Sequence, residues 1–289
     1  MSSETMIGSA IPAQTRRVPV YDSAQLPSPV VREVGELWRR RGLLRLLVAR
    51  DVVMRYKRSL LGVWWALLNP MLRMGVMWVV MSALFRPAIP GVPYVVYLLS
   101  GIVIITFFEQ AVVSAGGSLV NSTAVITKVY VPPLSFAVSA VLAANVTLVA
   151  SLIPLLIIKV VMGVGIPWTV VLLPIPVTAL VMIATGTGLM LASLAVRFYD
   201  ALDLSAVIIQ ILSFLTPTFY PIGIIPKSYR FILELNPLTQ VVMLFRAYVY
   251  QGQLGSWQTV AACLISGAAI LTLGVVIFAR AWRRSAVML

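Results

Sequence analysis

Between residues 61 and 279 the chain carries six apolar stretches, each of roughly the length needed to cross a bilayer, and this constrains the fold more than any other feature. They fall at about 61–85, 93–115, 134–158, 168–196, 203–220 and 257–279. A hydrocarbon interior offers no water to backbone N–H and C=O groups, so segments of this kind satisfy themselves as helices. Only 11% of the 289 residues are charged and 60% are hydrophobic, whereas a soluble domain carries about 25% charged residues. The expected fold is an all-α integral membrane protein with six transmembrane helices.

The polar residues organise the remainder. Residues 1–30 hold Ser, Pro and Gln with no apolar core of signal-peptide length, and read as a disordered cytoplasmic tail. Residues 31–60 form an amphipathic interfacial segment. Over 48–60, Val48, Ala49, Val52, Val53, Tyr56 and Leu60 fall on one helical face, and Arg50, Asp51, Lys57 and Arg58 on the other. The transmembrane domain is then 61–285. Half of the 22 Lys and Arg residues precede residue 60. With Lys128, Arg197 and the cluster Arg280, Arg283 and Arg284, they share one side of the membrane if both termini are cytoplasmic. This distribution explains the net charge of +13 without nucleic acid as a partner.

Two places break the apolar pattern. In the first stretch Pro70 follows Asn69, and its missing N–H leaves the Ala66 carbonyl without its helical donor, so a bend or local unwinding is expected. Between spans five and six, residues 221–253 hold short apolar runs interrupted by Pro221, Pro226 and Asn236-Pro237. Two short re-entrant helices in the outer leaflet keep the C-terminal arginines inside, where a seventh span would not. Asn236 is placed to cap the second of them.

Composition also limits the chemistry. The chain has no histidine, one cysteine (Cys263) and nine acidic residues, widely scattered. It therefore offers no His-based acid–base pair, no intrachain disulfide, no Cys-rich metal site and no carboxylate cluster for catalysis. A membrane-embedded glycosyltransferase is disfavoured on the last ground. Lacking GxxxxGK[ST], the sequence has no phosphate-cradling loop, and it is not expected to bind ATP itself.

Several motifs in order carry a family resemblance. Arg55-Tyr56, Ser59, Leu61-Gly62, Trp65 and Asn69-Pro70 come first; 121–133 (NSTAVITKVYVPP) follows; Arg197 to Asp200, Thr216-Pro217, Ile225-Pro226, Leu235 to Leu238 and Phe245-Arg246 complete the set. Together they resemble the membrane subunits of polysaccharide ABC exporters, which move O-antigen, capsule, teichoic acid and related glycans. Within that family the likeness is to actinobacterial permeases for lipid-linked galactan. One departure is Pro133, where the pattern often has arginine.

The resemblance implies a homodimer of six-span subunits with two copies of a separate ATPase, which would hold the ATP and Mg. The substrate would be a lipid-linked polysaccharide, the location the bacterial plasma membrane, and no residue of this chain catalytic. An ABC-2 permease for a drug or lipid would share these spans, and substrate-dependent ATPase stimulation separates the two. Lys128, Val129 and Tyr130 are implied contacts with the ATPase, joined by Arg197, Asp200 and Arg55. Pro226, Asn236 and Pro237 would belong to an external gate.

For a translocation pathway the residues themselves suggest Arg73, about 18 Å into the bilayer counting from Leu61, where an unshielded charge costs at least about 2.5 kcal/mol. It could meet the diphosphate of a lipid carrier or pair with Glu109, although Glu109 is expected nearer the cytoplasmic side. Trp65, Tyr94, Tyr97, Phe107, Phe108, Phe214, Phe219 and Tyr220 are candidate ring contacts for sugars.

Overall fold

A computed structural model describes residues 35–57, 60–62, 64–84, 92–122 and 131–285. Among them no strand occurs. The elements run in order as α1 (Arg41–Tyr56), α2 (Trp64–Leu84), α3 (Tyr94–Asn121), α4 (Leu134–Val161), a 3₁₀ turn (Trp168–Leu172) leading into α5 (Pro174–Ala195), and α6 (Ala201–Leu215). After these come α7 (Lys227–Leu235), α8 (Pro237–Arg246), which continues as a π turn (Ala247–Gln251), and α9 (Trp257–Ser285). Among the described residues five segments are long and apolar enough to span: α2, α3, α4, the 3₁₀ turn with α5, and α9.

The fifth expected span is shorter than its apolar stretch. α6 has 15 residues and reaches about 22 Å, less than the roughly 30 Å of hydrocarbon. Proline disfavours helical geometry in the residue before it, and Thr216, which precedes Pro217, turns extended at ψ 136°. The helix therefore stops at Leu215 and irregular backbone carries the chain on to Pro221. The helix–turn–helix expected within 221–253 is present as α7 and α8.

α3 is the central helix, buried around most of its circumference, with α4 and α5 packed along it. Close approach elsewhere depends on absent side chains. A Cβ on Gly186 of α5 would lie 2.3 Å from the Ile270 carbonyl oxygen of α9, and one on Gly274 would lie 2.3 Å from the Gly186 carbonyl oxygen. Backbone thus meets backbone across the α5–α9 seam, where packing must replace the missing hydrophobic drive between helices in lipid.

α2 continues through Pro70 without a break in its helical assignment. Ser151 of α4 supplies part of the reason. Its hydroxyl lies 3.1 Å from the Ala66 carbonyl oxygen and 2.9 Å from that of Thr147, so its single proton is shared between the carbonyl orphaned by Pro70 and one in its own helix.

α1 lies against α4 and is turned differently from its expected amphipathic face. Residues 43, 44, 47, 48, 51, 52, 55 and 56 form the less exposed stripe, whereas Ala49 and Val53 point outward. Asp51, expected on the water-facing side, accepts a 2.8 Å hydrogen bond from Ser139 and pairs with Arg50 at 2.8 Å. The correction has a local cause: the facing side of α4 is rich in hydroxyls, and polar contacts at that seam outweigh the burial of two further aliphatic side chains.

Gly186→Leu is expected to cost at least about 3 kcal/mol through overpacking against backbone that cannot yield. The check is the thermal aggregation midpoint of the detergent-purified protein; a midpoint equal to that of the parent contradicts the seam.

Candidate functional site

A groove of about 710 Å³ runs between α2, α3 and α6 and reaches the irregular segment after α6. Its wall is mostly apolar, with Leu72, Val76, Ile102, Ile105 and Val207 among the lining residues. Set into it is the ion pair Arg73–Glu109, Nη1 to Oε2 at 3.0 Å, with side chains 49% and 41% exposed.

The pairing follows from the length of α3. This helix extends to Asn121, six residues beyond the expected span, which sets Glu109 about 18 Å from its C-terminal end; Arg73 stands about 14 Å from the start of α2. The contact sets Glu109 level with Arg73 in the bundle, and α2 reaches it without a break in its helix at Pro70.

Beyond the pair, the groove contains Gln210 and Ser213 of α6, together with Thr106 and Thr218. The last two hydroxyls are buried and have no hydrogen-bond partner. Phe214 and Phe219 line the outer end, their ring centroids 5.8 Å apart and tilted by 45°. The groove thus combines an apolar floor, two ring faces, a charge pair and hydroxyl or amide groups spaced along its length.

Among the proposed pathway residues, Arg73, Phe214 and Phe219 meet here. Trp65 is 51% exposed near the start of α2, outside the lining. Phe107 and Phe108 are buried in the core, where α3 packs on its neighbours, and are corrected to packing residues. Tyr94, Tyr97 and Tyr220 do not line the groove; they hold the backbone that shapes its outer end.

That backbone, 216–220, has no helix to satisfy its carbonyls, and side chains do so instead. The Tyr94 hydroxyl donates to the Phe219 carbonyl at 2.7 Å. The Tyr97 hydroxyl lies 2.7 Å from the Tyr220 carbonyl and 3.1 Å from that of Pro217. Arg246 donates through Nη1 to Pro217 at 2.7 Å, and through Nη2 to Thr218 at 3.2 Å and to the Tyr97 carbonyl at 3.1 Å. The Thr216 carbonyl is taken by the N–H of Thr218 at 2.6 Å. Tyr220 in turn donates to Phe214 at 2.6 Å. Sequence reading included Arg246 only within a motif; the available signal was an arginine inside an apolar run with no acidic residue nearby.

The residues expected at an external gate form a compact turn. Pro226 precedes α7 and Pro237 opens α8. Asn236 accepts from the Leu238 N–H at 3.0 Å, the expected cap, and donates to the Thr216 hydroxyl at 2.9 Å. Behind α8, the buried Lys159 amine donates to the Val249 carbonyl, and Thr169 donates to Tyr248 at 2.8 Å.

At the other end, Arg55 turns into the bundle. It donates to Gln110 at 3.0 Å, Ser114 at 3.3 Å and Thr147 at 3.4 Å. Burial lowers its pKa from the usual arginine value, an effect opposed by Tyr56 and Asp51. Arg55 therefore fastens α1 to α3 and α4, and any role in coupling is exerted through α1 rather than through a free guanidinium. Arg197 and Asp200 are exposed in the turn after α5. Lys128, Val129 and Tyr130 lie outside the described residues.

The comparisons with known proteins agree with this architecture. The ABC-2 type transporter family matches residues 42–250, and the chain belongs to that family. It is 29% identical over 227 residues to an O-antigen export system permease protein of Myxococcus xanthus, covering 78% of this chain and 86% of the relative. A Klebsiella pneumoniae O-antigen export system permease protein is 23% identical over 238 residues, covering 82% and 90% respectively. A polysialic acid transport protein of Escherichia coli is 24% identical over 207 residues, covering 71% and 80%.

Arg55→Ala is expected to cost about 2 kcal/mol or more, since it removes charge-assisted hydrogen bonds and leaves Gln110 and Ser114 short of a donor. Thermal unfolding of the purified protein measures it, and an unchanged midpoint would show that α1 is held by other contacts.

Proposed function

We propose that this chain is the membrane subunit of an ATP-driven exporter that passes a lipid-linked polysaccharide from the cytoplasmic side outward, two copies together forming the path. The observation that carries the reading is the Arg73–Glu109 pair, half-exposed between two long apolar helices on a face whose other exposed residues include Leu72, Val76, Val207 and Ile211. Lipid is a poor solvent for such a pair. A second copy over the same face shields it and turns two open grooves into one lined passage.

The groove's chemistry supports a sugar chain as cargo. Ring faces of Phe214 and Phe219 contact sugar C–H groups without a fixed hydrogen bond to exchange at each step, while Gln210 and Ser213 exchange hydrogen bonds with sugar hydroxyls. The relatives' names, O-antigen and polysialic acid, are both those of glycans. Within that class we assign cell-wall galactan on a polyprenyl diphosphate carrier, from the likeness described in the sequence, and Arg73 as the group that meets the diphosphate.

Two separate ATPase subunits would supply the energy, with ATP and Mg bound there. The segment Lys128 to Tyr130 and the turn from Arg197 to Asp200 are the assigned contacts. The second is supported by Phe198 and Tyr199, two aromatic side chains exposed at the end of α5. Pro226, Asn236 and Pro237 belong to the external gate, and both termini are cytoplasmic in a bacterial plasma membrane.

Replacing a shielded ion pair by apolar residues of similar volume is often neutral for stability, so Arg73→Met with Glu109→Met should yield an assembled complex. Export by that double variant and by Arg73→Ala is expected to be abolished, with Arg73→Lys partly active. Normal export by the double variant would make the pair structural only. For the partner assignment, single cysteines at 128, 130 or 199 are expected to crosslink to the ATPase subunit; no crosslink at any of the three would overturn it.

A further inference from the structure

We infer that Arg246 is the positioning residue of the groove's outer end, a charged latch that holds the irregular segment 216–220 against α3 and so fixes Thr218 and Phe219 at the groove wall. Its functional weight rests on the groove being the translocation path, as proposed above.

Arg246 is buried, at 4% exposure, and among the described residues no carboxylate forms a salt bridge with it. Its guanidinium spends its donors instead on neutral oxygens: the carbonyls of Pro217, Thr218 and Tyr97, and the Ser100 hydroxyl at 3.2 Å. The face of the same group lies 3.5 Å above the Tyr97 ring centroid. Backbone dipoles and a ring quadrupole thus stand where a counterion would be expected.

The residues around the latch are cut to fit it. A Cβ on Gly101 would fall 2.9 Å from Arg246 Nη2 and 3.0 Å from Thr218 Cα, so only glycine lets the segment and the guanidinium close onto α3. Tyr97 contributes twice, through its ring below the guanidinium and its hydroxyl on the segment's carbonyls. Lysine could replace the charge but not the planar fork that reaches two consecutive carbonyls while stacking on the ring.

The consequence falls on the groove. Thr218, whose carbonyl the latch holds, lines the groove with its hydroxyl unpartnered, and the adjacent Phe219 carries half of the aromatic pair. Releasing Arg246 takes the guanidinium from the Thr218 carbonyl and leaves Pro217 with the Tyr97 hydroxyl alone in an apolar setting, so the segment is expected to shift toward water and take both groove residues with it.

The test uses the intact complex with its ATPase in proteoliposomes. Cys263, the only native cysteine, is buried, so Thr218→Cys provides a clean reporter for a water-soluble maleimide. In the Arg246→Ala and Arg246→Lys backgrounds the rate of labelling at 218 is expected to rise at least about tenfold, the loss of one charge-assisted hydrogen bond or more. Tyr97→Phe, which removes only the hydroxyl, is expected to raise it less and decides the matter if Arg246→Ala fails to assemble. Labelling at the parental rate in these backgrounds overturns the latch. Faster labelling with export unchanged leaves the latch standing and overturns the groove as the path, while faster labelling with export reduced several-fold supports both.

Discussion

Irregular backbone inside a membrane is tolerated only where protein supplies the hydrogen bonds that water cannot, and the segment 216–220 is where this chain meets that demand. Proline ends α6 two-thirds of the way across, and the carbonyls that follow are claimed one by one by Tyr94, Tyr97, Arg246 and a local turn. The turn into α8 is tied to the same place through Asn236 and Thr216. Buried arginine, buried tyrosines and the exclusion of a side chain at Gly101 are therefore consequences of one interruption in a helix.

The same logic, applied to charge, shapes the rest of the bundle. Arg55 is spent on three polar groups of α3 and α4 and fastens α1. The Lys159 amine and Arg246 are both buried on backbone carbonyls, so neither counts as a water-facing positive charge. Arg73 and Glu109 differ from these. They neutralise each other yet remain half-exposed, and a pair left open along apolar helices points to something outside the single chain.

Much of this was legible in the sequence. Apolar length gave five of the six expected spans, Pro70 marked the orphaned Ala66 carbonyl, and Asn236-Pro237 marked a capped turn. What could not be read were quantities that depend on where helices stop and which way they face. The length of α3 moved Glu109 to the depth of Arg73, the hydroxyls of α4 turned Asp51 inward, and the density around α3 removed Phe107 and Phe108 from any surface.

The sequence by itself determined the class of solvent, the helical fold, the order of its segments and the family, because these follow from apolar length, charge distribution and motifs read along the chain. Tertiary structure alone decided which polar groups meet. Arg246 and Tyr97 are separated by nearly 150 residues, and only folding brings a guanidinium onto a ring and onto two carbonyls at once. The physical reason is that a hydrogen bond in lipid is specified by three-dimensional proximity among groups that have no other partner, whereas the need to make one is already written in each polar residue placed within an apolar run.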